Sequence, residues 1–139
     1  MKVIRAQKKH ISDISKLMSA LDTKDYSFSD KKHVEDFIVK GWYYIALQKN
    51  EMTGAMALEP IEGSYQIYSI TSTKKGVGKA LIDFAIKKCK DEKVAKLWCW
   101  SLKRYKAKGF YEKMGFEEFF LLRKQWYGED CYFFGKIIK

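Results

Sequence analysis

The sequence predicts an α+β domain, a mixed sheet with helices packed on it, and three observations carry that reading. Segments with helical apolar spacing alternate with β-branched and aromatic segments in the order β-α-α-β-β-β-α-β-α-β-β. Three consecutive strand-like segments between positions 42 and 70 are joined by hairpin-length turns, which makes the first half of the sheet antiparallel. The length, 139 residues with 47% apolar side chains, is that of one folded domain over residues 1–139. No repeat, low-complexity stretch or linker interrupts it, and the single proline is Pro60.

The elements follow in order. Val3 to Ala6 reads as a short strand. Ile11, Ile14, Leu17, Met18 and Leu21 share one face of a helix. A polar stretch from Asp22 to Asp30 precedes a second helix around Val34, Phe37 and Ile38, which should stop near Gly41. Trp42 to Leu47, Thr53 to Leu58 and Tyr65 to Ile70 are strands, separated by Lys49-Asn50-Glu51 and Glu62-Gly63-Ser64. A helix from Gly78 to Lys90 buries Leu81, Ile82, Ala85, Ile86 and Cys89, with Asp83 and Lys87 as an i,i+4 pair outside. Leu97 to Trp100 is a strand, Arg104 to Met114 a helix closed by Gly115, and two strands flank Trp126-Tyr127-Gly128.

Composition excludes several classes of protein. No apolar run approaches the ~20 residues that cross a bilayer, and MKVIRAQKKH lacks the apolar stretch of a signal peptide. Cys89, Cys99 and Cys131 are an odd number without a CxxC pair, and there are only two histidines. That argues against a disulfide framework or a metal site, and for buried thiols in a cytoplasmic protein. Both histidines, His10 and His33, are expected at the surface. The net charge is +10, and residues 74–108 alone carry +9, with 12 basic and 3 acidic side chains. An anionic partner binding there would be attracted by that field, although a solvated lysine face explains part of it.

Thr73-Lys74-Lys75-Gly76-Val77-Gly78-Lys79-Ala80-Leu81 joins a strand to a helix. It fails the Walker A pattern at Thr73 and Ala80, and it fails the dinucleotide GxGxxG pattern at Leu81. What remains is a GxG opening a helix among lysines. Glycine lets an anion approach the main chain, and the first helical amides have no intrahelical acceptor. Taken alone, it reads first as an ordinary tight turn before a helix.

About 30 residues on comes Ala107-Lys108-Gly109-Phe110-Tyr111-Glu112-Lys113-Met114-Gly115-Phe116. Together the two segments resemble the GNAT superfamily of N-acetyltransferases. Its cofactor loop reads R/Q-x-x-G-x-G/A at a strand-to-helix turn, and its later helix reads A-x-x-x-Y-x-K-x-G-F. The element order agrees with that family over essentially the whole chain. Three departures stand out: Thr73 replaces the usual Arg or Gln, the connection from strand to glycines is about two residues short and lacks the frequent proline, and Arg104 replaces the asparagine often found seven residues before the tyrosine.

The resemblance implies a central sheet splayed around acetyl-CoA, with no metal. The pantetheine would run beside Ser69, Ile70 and Thr71, and the pyrophosphate would sit on the amides of Lys75, Gly76, Val77, Gly78 and Lys79. Lys74 supplements the loop, and Arg104 is a further cofactor candidate. Tyr111 corresponds to the tyrosine that protonates the departing thiolate. For the general base the sequence offers only Glu59, beside Glu62, both also readable as ordinary turn residues. The acceptor is a primary amine on a small molecule or protein, with Tyr26, Phe28, Trp100 and Trp126 as candidate contacts. Asp22, Asp25 and Asp30 could supply local acid for a cationic acceptor. Two other classes remain open: a basic domain that binds nucleic acid through residues 74–108, and a CoA-binding sensor of the same fold without catalysis. No membrane association is expected, and the oligomeric state, a dimer included, is not readable.

Overall fold

Turn chemistry sets the hairpins. Lys49 and Asn50, Glu62 and Gly63, and Tyr127 and Gly128 are three two-residue loops with positive φ at both positions, as a type I′ hairpin requires. In the computed structural model, which describes residues 1–139, these loops join β2 (Tyr43–Gln48) to β3 (Glu51–Ile61), β3 to β4 (Ser64–Ser72), and β6 (Glu118–Trp126) to β7 (Glu129–Ile137). The other elements are β1 (Lys2–Arg5), α1 (Ile11–Met18), α2 (Lys31–Val39), α3 (Val77–Glu92), β5 (Lys96–Leu102) and α4 (Lys108–Lys113). The fold is the expected α+β class with the expected element order.

The seven strands hydrogen-bond in the order β1-β2-β3-β4-β5-β7-β6. Pairing is antiparallel for β1–β2, β2–β3, β5–β7 and β6–β7. The parallel β4–β5 ladder holds only Tyr65↔Leu97 and Gln66↔Trp98.

Contacts divide the chain into two compact units, residues 1–59 with 67–84, and residues 60–66 with 85–139. The core of the first is built from Ile14 and Met18 of α1, Val34 and Phe37 of α2, and Tyr43 and Ile45 of β2. In the second, the Tyr111 ring stacks on Phe134, with centroids 4.6 Å apart, and meets Phe116 edge-on at 5.0 Å. Cys89, Cys99 and Cys131 are free and buried. Full burial of a core side chain such as Ile14, Met18, Val34 or Phe134 contributes roughly 1.5–3 kcal/mol.

Three local expectations need correction. The helix expected over Arg104 to Met114 is a 3₁₀ turn, Lys103–Tyr105, followed by the shorter α4, because Lys106 adopts the left-handed conformation at φ 56° and breaks the run. On α3, Asp83 pairs with Lys79 at 2.6 Å, and Lys87 pairs with Asp91 at 2.6 Å. The expected Asp83–Lys87 pair is thus replaced by two others, one a turn earlier and one a turn later on the helix. Neither histidine is fully exposed: both His10 and His33 are half-buried and bonded through a ring nitrogen.

Candidate functional site

The loop between β4 and α3 lies in the first unit. Its start is pinned to β3, since Thr73 donates its N–H to the Thr53 carbonyl at 2.8 Å and its hydroxyl to the same oxygen at 3.3 Å. Thr73 therefore anchors the loop where a longer Arg or Gln would reach outward. Gly76 turns the chain at φ +86°, and a Cβ built there would meet no atom within 4 Å. At Val77 the helix begins, its side chain fully buried.

Main-chain bonding in this turn is incomplete. Val77 donates its N–H to the Lys74 carbonyl at 3.3 Å, and Ala80 donates to the Gly76 carbonyl at 3.1 Å. The N–H groups of Gly76, Gly78 and Lys79 have no such acceptor. They are the orphan donors of a helix start, reinforced by the dipole of a 16-residue helix. Of the five amides expected to face an anion, that of Val77 is therefore already engaged.

Around the loop, Lys74 lies 3.4 Å from Glu51, and Lys79 lies 2.6 Å from Asp83. Lys75 is exposed and makes no ion pair. Exposed pairs of this kind are worth ~0–1 kcal/mol, so an incoming diphosphate would compete for both lysines at small cost.

Sequence reasoning missed Gly54 on β3. A Cβ there would fall 2.5 Å from Val77 Cγ1, 3.1 Å from Leu81 Cδ1 and 3.2 Å from the Thr71 carbonyl. The absent side chain lets the first turn of α3 seat on the strand. A glycine inside a strand otherwise rich in side chains was the available signal.

On β4, Ile67–Ser72 belong to the first unit and lie beyond the two pairs of the parallel ladder, which leaves one row of their main-chain groups without a ladder partner. Ser69 is buried, its Oγ 3.4 Å from the Tyr43 hydroxyl, while Ile70 and Thr71 are half-buried. Burial pushes the Tyr43 hydroxyl up to about 12.

Also in the first unit, the 22–30 loop is braced from within. Asp22 accepts from the Ser29 N–H at 3.0 Å, Thr23 Oγ1 accepts from the amides of Asp25 and Tyr26 at 3.2 Å each, and Asp30 caps α2 by accepting from the His33 N–H at 2.9 Å. Asp22 and Asp30 are thus committed to the main chain. The bracing holds Tyr26 and Phe28 together, with ring centroids 4.8 Å apart, and directs Tyr26 Oη to His33 Nε2 at 2.9 Å. Glu59 is half-buried at the end of the same unit's strand, and Glu62 is an exposed turn residue.

In the second unit Tyr111 is 3% exposed. Burial, with the neighbouring Cys99 adding to it, holds the phenol well above its usual range. Tyr111 thus keeps its proton at neutral pH, the state a proton donor needs. Burial pushes the Cys99 thiol up to about 12, so it is no nucleophile. Trp100 and Trp126 are half-buried with centroids 6.1 Å apart. Arg104 is exposed and clasps Glu129 through Nε at 2.7 Å and Nη2 at 3.3 Å.

Comparison with known proteins decides the family. The profile described as Acetyltransferase (GNAT) domain matches residues 40–118, more than half of the chain and spanning both the glycine loop and Tyr111. The chain belongs to the GNAT acetyltransferases. No curated protein sequence matches it. Solved structures of similar fold include Ard1 from Thermoplasma volcanium, 16% identical with a TM-score of 0.85, covering 99% of this chain and 97% of that one. A ribosomal-protein-alanine N-acetyltransferase from Brucella melitensis is 17% identical, with a TM-score of 0.80 and 99% coverage of each chain. An aminoglycoside 6′-N-acetyltransferase complexed with coenzyme A is 13% identical, with a TM-score of 0.81, covering 100% of this chain and 98% of that one. At these identities the likeness shows the fold.

As a GNAT acetyltransferase the chain is an enzyme that takes its acetyl group from acetyl-CoA. Its residues fit that donor. The orphan amides of Gly76, Gly78 and Lys79, the clear space at Gly76 and the unpaired Lys75 suit a diphosphate. No group of three or more His, Cys, Asp or Glu is placed to hold a metal ion, and no helix is long and apolar enough to cross a membrane.

Proposed function

We propose that this GNAT enzyme moves the acetyl group of acetyl-CoA directly onto a primary amine. The observation that carries the reading is the turn into α3, where three donors without acceptors surround a glycine whose outer side is clear. In this reading the amides of Lys75, Gly76, Gly78 and Lys79 grip the pyrophosphate, with Lys74 and Lys75 adding charge and Val77 seating the turn from below. Ser69, Ile70 and Thr71 offer main-chain groups to the pantetheine arm. Arg104 contributes to the phosphates on leaving Glu129, an exchange of exposed partners that costs ~0–1 kcal/mol. When bound, acetyl-CoA supplies an activated carbonyl with a thiolate leaving group. Tyr111 donates the proton that the thiolate needs, an effect worth ~10²–10⁴-fold when positioned. Glu59 is the carboxylate candidate for a base, and Tyr26, Phe28, Trp100 and Trp126 are the candidate acceptor contacts.

Names of the structural relatives span a ribosomal-protein alanine and an aminoglycoside, so the acceptor has to be argued from this chain. A net charge of +10, with Asp22 and Asp30 already committed to main-chain amides, favours an amine carrying one positive charge over a polycation. Free buried cysteines fit a reducing compartment, and a cytoplasmic single-domain enzyme is part of the proposal.

Thermal unfolding with saturating acetyl-CoA, followed by thiol release with an alanine-initiated peptide, phenethylamine, spermidine and kanamycin, tests this reading. The expected result is stabilisation by acetyl-CoA and thiol release with the singly charged amines. Stabilisation without thiol release would point to a sensor. Salt-sensitive stabilisation by DNA or RNA alone would point to a nucleic-acid-binding domain.

A further inference from the structure

Tyr26, His33 and Tyr68 come from three different elements of the first unit, and their polar tips meet. His33 Nε2 lies 2.9 Å from Tyr26 Oη and 3.0 Å from Tyr68 Oη, and the two hydroxyls are in hydrogen-bond contact with each other. This set holds two O–H donors and one ring nitrogen. With the imidazole proton on Nδ1, one phenol donates to Nε2 and the other phenol donates to the first. The nitrogen is then the terminal acceptor of a short chain of hydrogen bonds.

The surroundings favour a neutral imidazole. Burial holds His33 below the usual histidine range and Lys40 adds to that, while Asp30 and Asp36 pull the other way. Tyr68, facing Tyr26, Tyr43 and Glu59, is raised far above the usual phenol range, chiefly by burial. The Phe37 ring packs 4.3 Å from His33 and 4.9 Å from Tyr68, and Phe28 lies 5.7 Å from Tyr68, which fixes the rings in place. Yet Tyr26, His33 and Tyr68 are only half-buried, so the ordered chain of donors remains within reach of a ligand. Tyr68 also immediately precedes Ser69, Ile70 and Thr71 on β4.

We propose that Tyr26, His33 and Tyr68 form the relay that takes the proton from the acceptor ammonium, with His33 as the terminal base. This inference rests on the amine acetylation proposed above and places the base at His33, in the role for which the sequence offered only Glu59. The acceptor enters as R–NH3+. Tyr68 Oη takes one proton from it while the Tyr68 hydroxyl proton passes to His33 Nε2, directly or through Tyr26. The freed lone pair forms the C–N bond to the thioester carbonyl, and the C–S bond breaks. The second proton lost by the nitrogen ends on sulfur, and the first leaves the imidazolium for water. Ammonium and acetyl-CoA thus give amide, CoA thiol and one H+.

The test is the pH dependence of kcat/KM for the parent, His33→Gln and Tyr68→Phe, using whichever of the four amines above turns over fastest. At neutral pH both variants should be slower by about 10²-fold or more with KM for acetyl-CoA unchanged. The deficit should shrink steadily as pH rises toward the ~10 typical of a free alkylamine, because a neutral amine needs no base. Added imidazole should restore part of the His33→Gln rate at neutral pH. A deficit of constant size across the pH range, or no deficit, overturns the relay while leaving the amine-acetylation reading intact. If the parent releases no thiol with any of the four amines, that reading fails and the relay falls with it. Tyr68→Phe removes a single oxygen and carries the same test should His33→Gln fail to fold.

Discussion

Replacing Gly54 by alanine tests how the loop that faces the anion is held. The new Cβ would lie 2.5 Å from Val77 Cγ1, inside any real carbon–carbon contact, and 3.2 Å from the Thr71 carbonyl. Val77 is fully buried and β-branched, so it cannot swing aside, and the first turn of α3 has to shift. Overpacking of this kind costs ~1–3 kcal/mol. At ~2.1 cal/mol/K of unfolding entropy per residue, a chain of 139 residues loses roughly 3–10 °C of Tm. The ligand gives a second readout. At 100 times Kd, acetyl-CoA stabilises by ~2.7 kcal/mol, about 9 °C here, and a tenfold weaker Kd cuts that to about 5 °C. Differential scanning fluorimetry with and without acetyl-CoA measures both effects. An alanine variant with the parent's Tm and an unreduced acetyl-CoA shift would refute the claim that Gly54 seats the loop.

Two further outcomes follow from the same geometry. Tyr111→Phe should slow turnover by ~10²-fold or more while leaving acetyl-CoA stabilisation close to the parent's, measured by thiol release beside the thermal shift; equal turnover would remove Tyr111 from the chemistry. Acid should weaken the fold. Burial lowers the pKa of His10 and His33, so the unfolded chain binds these protons more tightly, and stability falls as pH drops below the usual 6.5. Urea midpoints on either side of that value should show a smaller acid loss for His33→Gln than for the parent, and identical losses would contradict the assignment.

Much of the fold was legible because its signals are local. Apolar spacing marked the helices, and Asn50, Gly63 and Gly128 stand in hairpin turns that close as expected. The glycine loop was legible for the same reason, since a strand, a GxG and a helix are neighbours in sequence. What escaped depended on distant partners. Nothing local says that β7 lies between β5 and β6, or that Lys106 leaves the helical region and shortens α4. Gly54 gains its meaning from Val77 and Leu81, more than twenty residues away. His33 looked like a polar residue on a short helix, and only the folding of Tyr26 and Tyr68 onto its ring makes it part of a site. Arg104 was read for its position relative to Tyr111, yet its charge is answered by Glu129 on β7.

The central claim is that the amides opening α3 hold the donor's diphosphate. A ¹H–¹⁵N NMR titration of the labelled protein with coenzyme A addresses it residue by residue. The predicted result is large, saturable downfield shifts at the amides of Gly76, Gly78 and Lys79, with a smaller change at Val77, whose N–H already donates to Lys74. Saturation of coenzyme A binding with those three amides unmoved would contradict the account.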